Sequence, residues 1–360
     1  MNANQRAWIL RMLLLVSTNL QLCAQLTEDS IKLFSQAKER AETNDVAAQF
    51  HLGTCYNLGI GTAKDKIEAA NWFHKAADQG LAPAQHILGL FYATGIGVIE
   101  SADEAVKWYR KAADQNHAES QNSLGECYTK GKGVAKNEIE AVKWYSKAAE
   151  QNNARAQCNL GFCFCNGEGA AKDYKEAVKW FRKAADQNVA TAQFNLGSCY
   201  HYGEGVEIND VEAVKWWLKA AEQDDANAQF SMGLSCGNGK GVAKDETQAA
   251  KWYQRAAEQN HAEAQNNLGV CHAFGKGVVK DYVEGYKWTL LAAAKGSDTA
   301  KRFMSVLEGK MTPETIAEGQ RLARNFKPRI SIVGVRENIS APATSTPLPR
   351  VKIPKLGPAT

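Results

Sequence analysis

The sequence predicts an all-α fold, an alpha-alpha superhelical solenoid of seven 36-residue helix-turn-helix repeats with capping helices. Three observations predict it. Seven tryptophans, Trp72, Trp108, Trp144, Trp180, Trp216, Trp252 and Trp288, follow one another at intervals of 36 residues without an insertion or a deletion. A column of helix N-cap residue types keeps the same register. No unit shows the period-2 alternation of a strand, which removes a propeller. A period between about 20 and 50 residues marks like units that bury their apolar faces on one another rather than within themselves. Seven such units fill residues 45–296, divided as 45–80, 81–116, 117–152, 153–188, 189–224, 225–260 and 261–296.

The chain begins with Arg6 and Arg11, the apolar stretch Met12 to Val16, and then Leu22-Cys23-Ala24, which together read as a secretory signal over residues 1–24. Export, to the periplasm or beyond the cell, is the expected destination. The run from Trp8 to Leu22 is interrupted by Arg11, Thr18, Asn19 and Gln21 and falls short of the ~20 apolar residues of a membrane span. Lipidation of Cys23 is an alternative, although Leu22 stands where such processing wants a small residue. Residues 25–44 supply an N-terminal capping helix that lacks the tryptophan.

Each repeat then divides into two helices. Asp65, Ser101, Asn137, Asp173, Asn209, Asp245 and Asp281 are N-cap types, and three residues later stand Glu68, Glu104, Glu140, Glu176, Glu212, Gln248 and Glu284. That is the spacing of a capping box. The second helix ends at Gly80, Asn116, Asn152, Asn188, Asp224, Asn260 or Gly296, types that tolerate a left-handed residue past a helix end. Its inward stripe is Ala-Trp-Ala, as in Ala105, Trp108 and Ala112. The first helix carries A-x-x-x-L-G, from Ala48, Leu52 and Gly53 through to Ala264, Leu268 and Gly269, with Met232 in place of Leu once. A glycine inside a helix costs about 1 kcal/mol against alanine, so its recurrence predicts close approach of the tryptophan-bearing helix. Further glycines, such as Gly131 and Gly133, shape the loop before the next cap. Residues 297–326 read as C-terminal capping helices, and residues 327–360, with six prolines and scattered Lys/Arg, as a disordered basic tail suited to weak contact with anionic surfaces.

The pattern A-x-A-Q-x-x-L-G-x-x-Y-x-x-G-x-G-V resembles the first half of a Sel-one-like repeat, a relative of the tetratricopeptide repeat. The unit at 117–152 spells it with Ala118, Gln121, Leu124, Gly125, Tyr128, Gly131, Gly133 and Val134, then Glu140-Ala141-Val142-Lys143-Trp144-Tyr145 and Lys147-Ala148-Ala149. The match covers about seventy per cent of the chain. It implies a non-catalytic scaffold or adaptor that holds a partner protein or peptide on the concave side of the superhelix, without a cofactor. Cysteine-rich members bridge the two helices of a unit, but their second cysteine falls near Ala112-Ala113, where this chain has alanines. The same members are linked with beta-lactam binding or hydrolysis, which makes a cell-wall hydrolase the alternative.

Charge argues against nucleic acid. The net charge of +4 divides into +7 from Arg321 onward, +2 at the N-terminus and −5 for the body between them, which is no basic groove. Chemistry finds little support. Cys55, Cys127, Cys163, Cys199 and Cys271 share one column, and equivalent positions lie a helix-pair spacing apart, beyond disulfide reach. They read as small buried hydrophobes. Cys158, Cys163 and Cys165 do not share one helical face, and His51, His74, His86, His117, His201, His261 and His272 recur at no ligand spacing, so no metal is expected. Ser35-Gln36-Ala37-Lys38 fits S-x-x-K, but neither S-D-N nor K-T-G follows.

A binding surface remains. On the first helices a face offset from the core stripe changes from unit to unit, and it nominates Phe50, His86, Asn122, Glu126, Phe162, Phe194, His201, Tyr202, Phe230 and Asn266 as contacts for a partner. Phe162, Phe194, Phe230 and Tyr202 are either apolar anchors for an extended or helical peptide or fillers of the gaps between repeats.

Overall fold

A computed structural model describes residues 27–329. The expected signal at 1–24, Cys23 and the tail from 330 lie outside them. Helix α1 covers residues 27–42. Seven pairs follow: α2 (Val46–Leu58) and α3 (Lys66–Asp78), α4 (Ala82–Thr94) and α5 (Ala102–Asp114), α6 (Ala118–Lys130) and α7 (Glu138–Glu150), α8 (Ala154–Asn166) and α9 (Tyr174–Asp186), α10 (Ala190–Tyr202) and α11 (Asp210–Glu222), α12 (Ala226–Asn238) and α13 (Glu246–Glu258), α14 (Ala262–Phe274) and α15 (Tyr282–Ala294). Two further helices, α16 (Asp298–Glu308) and α17 (Pro313–Asn325), close the series. Among the described residues there is no strand, and the fold is all-α, a solenoid of stacked helix pairs. It forms two compact units, one ending at Ala184 and one beginning at Ala185.

The caps that start every second helix are formed. Asp65 accepts from Glu68 N at 3.0 Å, Asn137 from Glu140 N at 3.1 Å and Asp245 from Gln248 N at 2.9 Å. The capping box, however, is only half made. The N-cap amide donates to a backbone carbonyl instead, Asp65 N to Tyr56 O at 3.0 Å and Asn137 N to Tyr128 O at 3.0 Å. The glutamate is thereby free to pair with the lysine one turn on, as Glu104 does with Lys107 at 2.6 Å and Glu176 with Lys179 at 3.2 Å. At the other end of these helices Asn116, Asn152, Asn188, Asp224 and Asn260 take φ between 64° and 72°, as their residue types foretold.

The helix glycines do admit a ring, but not the tryptophan's. A Cβ on Gly53 would lie 2.8 Å from Phe73, on Gly89 2.6 Å from Tyr109, on Gly125 2.6 Å from Tyr145 and on Gly161 2.7 Å from Phe181. In the second unit Gly197 faces Trp217 and Gly233 faces Tyr253 in the same way. The partner is the residue after the tryptophan. Successive residues on a helix point about 100° apart, so the two rings address different neighbours. The tryptophan fills the joint between the previous repeat and its own first helix: Trp108 clusters with Ala76 and Ala77 of α3 and with Ala84 and Leu88 of α4. Trp144 likewise meets Ala105, Val106, Tyr109 and Ala113 of α5 and Leu124 of α6.

Five of the seven column tryptophans are buried, while Trp180 and Trp252 are only half-buried, a departure from a uniformly interior ladder. The outer ring face is covered by a cation one turn on. Lys75, Lys111, Lys147, Lys183 and Lys219 place Nζ between 3.7 and 4.1 Å from the ring centroids, and Arg255 sits 4.8 Å from Trp252. Such contacts keep the indole dry while the charge stays in water.

Polar bonds knit the repeats where packing alone would leave helix ends open. The buried Gln49, Gln85, Gln121, Gln157, Gln193, Gln229 and Gln265 each donate from Nε2 to the carbonyl eight residues earlier, at 3.0 to 3.3 Å. That carbonyl belongs to the end of the preceding helix, where it also accepts the backbone N–H three residues on, as Ala113 O does from Asn116 N at 3.0 Å, so the glutamine takes up its second lone pair. The glutamine's own oxygen accepts from Gln79, Gln115, Gln151, Gln223 or Gln259, thirty residues on, at 2.7 to 2.8 Å. One loop glycine completes the joint. Gly97, at φ 68°, lies so close to the Lys66 carbonyl of the preceding repeat that any Cβ would overlap it.

Candidate partner-binding wall

In each unit the nominated residues lie on the first helices. Within the unit ending at Ala184, Phe50 on α2 is half-buried and leans on Phe73 with ring centroids 5.5 Å apart. On α4, His86 bonds through Nδ1 to Ser120 Oγ at 3.0 Å and its ring lies 5.2 Å from that of His117. Burial, and then the neighbouring His117, push the His86 imidazole down to about 4. His117 itself caps α6, accepting from Ser120 N at 3.3 Å. Asn122, 4% exposed, accepts from Asn159 at 2.9 Å and donates to Glu126 Oε1 at 3.0 Å. Burial raises the Glu126 carboxyl, opposed by Lys130 at 3.6 Å and by the Asn122 bond, and burial also lowers Lys130. Phe162 on α8 meets Phe181 edge-on at 5.3 Å.

In the unit beginning at Ala185, Phe194 on α10 packs on the core, and its carbonyl accepts from Trp217 Nε1 at 3.2 Å. His201 Nδ1 lies 2.6 Å from Asp210 Oδ1, with its ring between Tyr202 at 4.7 Å and Trp217 at 5.2 Å. Tyr202 is 44% exposed. Phe230 on α12 stacks on His261 at 4.8 Å, and Asn266 on α14 keeps Oδ1 buried with no hydrogen-bond partner among the described residues. The structure therefore brings together His86 with His117, Asn122 with Glu126, and His201 with Tyr202. Phe50, Phe162, Phe194 and Phe230 stand apart, each half-buried against its own ring partner or the core. Most of the nominated aromatics thus fill space as well as face outward, and Tyr202 is the most open of them.

Pattern reading passed over several contributors. His117 and His261 serve as helix caps. Asn159 and Lys130 belong with Asn122 and Glu126. Asp224 and Arg255 form an ion pair at 3.0 Å. The last pair was signalled, since Asp224 stands in a column otherwise held by Asn or Gly, and Arg255 in one held by Lys in the five units before it.

Ser35 on α1 donates its hydroxyl to Ile31 O of its own helix at 2.9 Å. The cysteines of the described residues are free thiols, and all but the half-buried Cys127 are buried. Burial pushes Cys127 and Cys271 up to about 11 and Cys163 to about 12, where a thiol is a poor nucleophile at neutral pH. No group of three or more His, Cys, Asp or Glu among the described residues is placed to hold a metal ion. No described helix is long and apolar enough to cross a membrane.

Comparison with known proteins adds a family. A model of the Sel1 repeat matches residues 46–81, 82–117, 118–153, 154–189, 190–225, 226–261 and 262–297, one residue later than the division read from the sequence. A Sel1 repeat protein from Oxalobacter formigenes of known structure is 31% identical, with a TM-score of 0.63, over 76% of this chain and 79% of that one. The protective antigen c5321 of uropathogenic Escherichia coli, which displays the same repeat fold, is 24% identical with a TM-score of 0.37, over 88% of this chain and 99% of that one. Immunity protein Pa5087 from Pseudomonas aeruginosa is 21% identical with a TM-score of 0.39, over 59% of this chain and 80% of that one. No curated protein matches.

Proposed function

Since the chain belongs to the Sel1 repeat family, whose members generally mediate protein–protein interactions, we propose that it is a non-catalytic scaffold that holds a partner protein or peptide on the wall of its first helices. One observation carries this reading. The wall presents an open aromatic, Tyr202, beside the half-buried pair of His201 and Asp210. An extended peptide supplies what the ring lacks, an apolar side chain against its exposed face. The leader-like residues 1–24 place the scaffold outside the cytoplasm in this reading. The runner-up, a beta-lactam or cell-wall hydrolase, asks for an activated serine, and the Ser35 hydroxyl is spent on its own helix.

The test pairs capture with labelling. Partners are captured with the mature chain as bait and identified, and capture is repeated with Tyr202→Ala. Loss of the captured partner with an unchanged thermal transition supports the wall. Full capture by the variant refutes it, and covalent labelling of Ser35 by a fluorescent penicillin replaces the scaffold with the hydrolase.

A further inference from the structure

Four residues beyond α17 are laid back across the unit that begins at Ala185, at a place where two repeat columns depart from their rule. Where every other unit ends its second helix on Asn or Gly, the fifth ends on Asp224. Where the earlier units set a lysine over the tryptophan, the sixth has Arg255, held 4.8 Å from Trp252 and 3.0 Å from Asp224. The two departures meet in one ion pair. Into it comes Arg329, whose Nη1 and Nη2 lie 3.0 Å from Oδ2 and Oδ1 of Asp224, a two-pronged fit that arginine makes and lysine does not.

The backbone is engaged as well. Arg329 N donates at 2.8 Å to Glu258 O, a carbonyl at the end of α13 that has no partner within its helix. Three residues earlier, Phe326 meets Trp288 edge-on at 5.2 Å. The seventh unit has Leu291 where the others place a cation one turn after the tryptophan, and that indole is met by Phe326 together with Lys287, whose Nζ lies 4.5 Å from the ring centroid. Beside the ring is a hollow of about 330 Å³ bounded by Gln254, Glu258, His272, Glu284 and Lys287. Between the two anchors stand Lys327 and Pro328. Proline fixes its own φ and keeps the residue before it out of the helical region, so the segment is extended before it docks and loses little freedom on docking.

We propose that the ends of α11 and α13, with α15, form a binding site for an extended peptide that presents Phe and, three residues on, Arg, and that residues 326–329 occupy this site in the same chain. The site is separate from the wall of first helices and does not depend on it. The resident segment competes at the high effective concentration of a tethered ligand, so a partner bearing the same motif enters only by displacing it.

The experiment uses the full chain and a fluorescein-labelled peptide of residues 323–331, followed by anisotropy. The site is opened with Phe326→Ala and Arg329→Ala combined, and in a second variant with Arg329→Glu alone, which touches only an exposed guanidinium. Both opened chains are expected to bind the peptide at least tenfold more tightly than the unaltered chain. Adding Asp224→Asn to either, or replacing the peptide's Phe and Arg with Ala, is expected to remove at least tenfold of that affinity. Equal binding by opened and unaltered chains, no binding by either opened chain, or binding indifferent to Asp224→Asn would overturn the proposal.

Discussion

Gly125→Ala should destabilise the protein even though it puts the better helix former into a helix, and the sign should reverse when Tyr145 is removed. Two effects oppose each other. Replacing a mid-helix glycine with alanine stabilises by about 1 kcal/mol. Against this, the new methyl group would lie 2.6, 2.7 and 3.1 Å from three atoms of the Tyr145 ring. That ring is 4% exposed and pinned by a 3.1 Å hydrogen bond from its hydroxyl to Thr129, so it has little room to retreat. Overpacking of this kind costs about 1 to 3 kcal/mol, and a rigid, buried ring belongs at the upper end. The single change is therefore expected to cost about 2 kcal/mol. In a Tyr145→Ala background the clash is gone and the same change should stabilise by about 1 kcal/mol, a coupling of about 3 kcal/mol. Because repeat arrays need not unfold in one step, the readout is amide hydrogen exchange across α6 and α7 as well as the global urea midpoint. An equal effect of Gly125→Ala in both backgrounds, or stabilisation of the unaltered protein, would refute the account of the glycine column.

Two further outcomes follow from buried polar groups. His86 titrates near 4 when folded against an ordinary value of 6.5, with His117, Glu119, Tyr109 and Ser120 around it. A histidine depressed in this way contributes stability that is full above pH 6.5 and is lost as the pH falls toward 4, by about 3 kcal/mol at most; unfolding midpoints at pH 7.5 and 4.5 should show a drop that His86→Gln reduces. Gln121→Ala removes one bond to the Ala113 carbonyl and one from the Gln151 amide, both of which keep other partners, and should cost about 2 kcal/mol at about 1 kcal/mol per bond, seen as accelerated exchange at the end of α5; a cost below about 0.5 kcal/mol would mean that the glutamine column does not join repeats.

What could be read from the linear chain was whatever repeats locally. The 36-residue interval, the cap types at Asn137 and its counterparts, and the left-handed ends such as Asn116 each depend on a few adjacent residues. Which ring fills the space beside Gly125 did not follow, because Trp144 and Tyr145 are neighbours in sequence and differ only in the direction they point. The glutamine column stood in the repeat pattern, but its bonds run eight residues back and thirty forward, outside any local rule. The wall was harder still. Varying columns picked out Phe194 and Phe230, yet whether a ring there faces a partner or closes a gap depends on Trp217 and His261 opposite. Arg329 and Asp224 lie 105 positions apart, and only the acid in a column of amides hinted at the bond.

The seventh unit shows how such an array is brought to an end. Its glycine, Gly269, faces Thr289 rather than a ring, and the bulk has moved three residues earlier to Tyr286, which is buried against Ala273 and Leu307 and bonds Glu308 at 2.8 Å. The units that precede it within either compact body carry matching faces fore and aft and are therefore interchangeable modules. Duplicating residues 118–153 would insert a cassette that its neighbours accept, whereas duplicating residues 262–297 would put Tyr286 where a following module brings Ala or Val. A tandem copy is expected to be accepted in the interior and refused at the terminus.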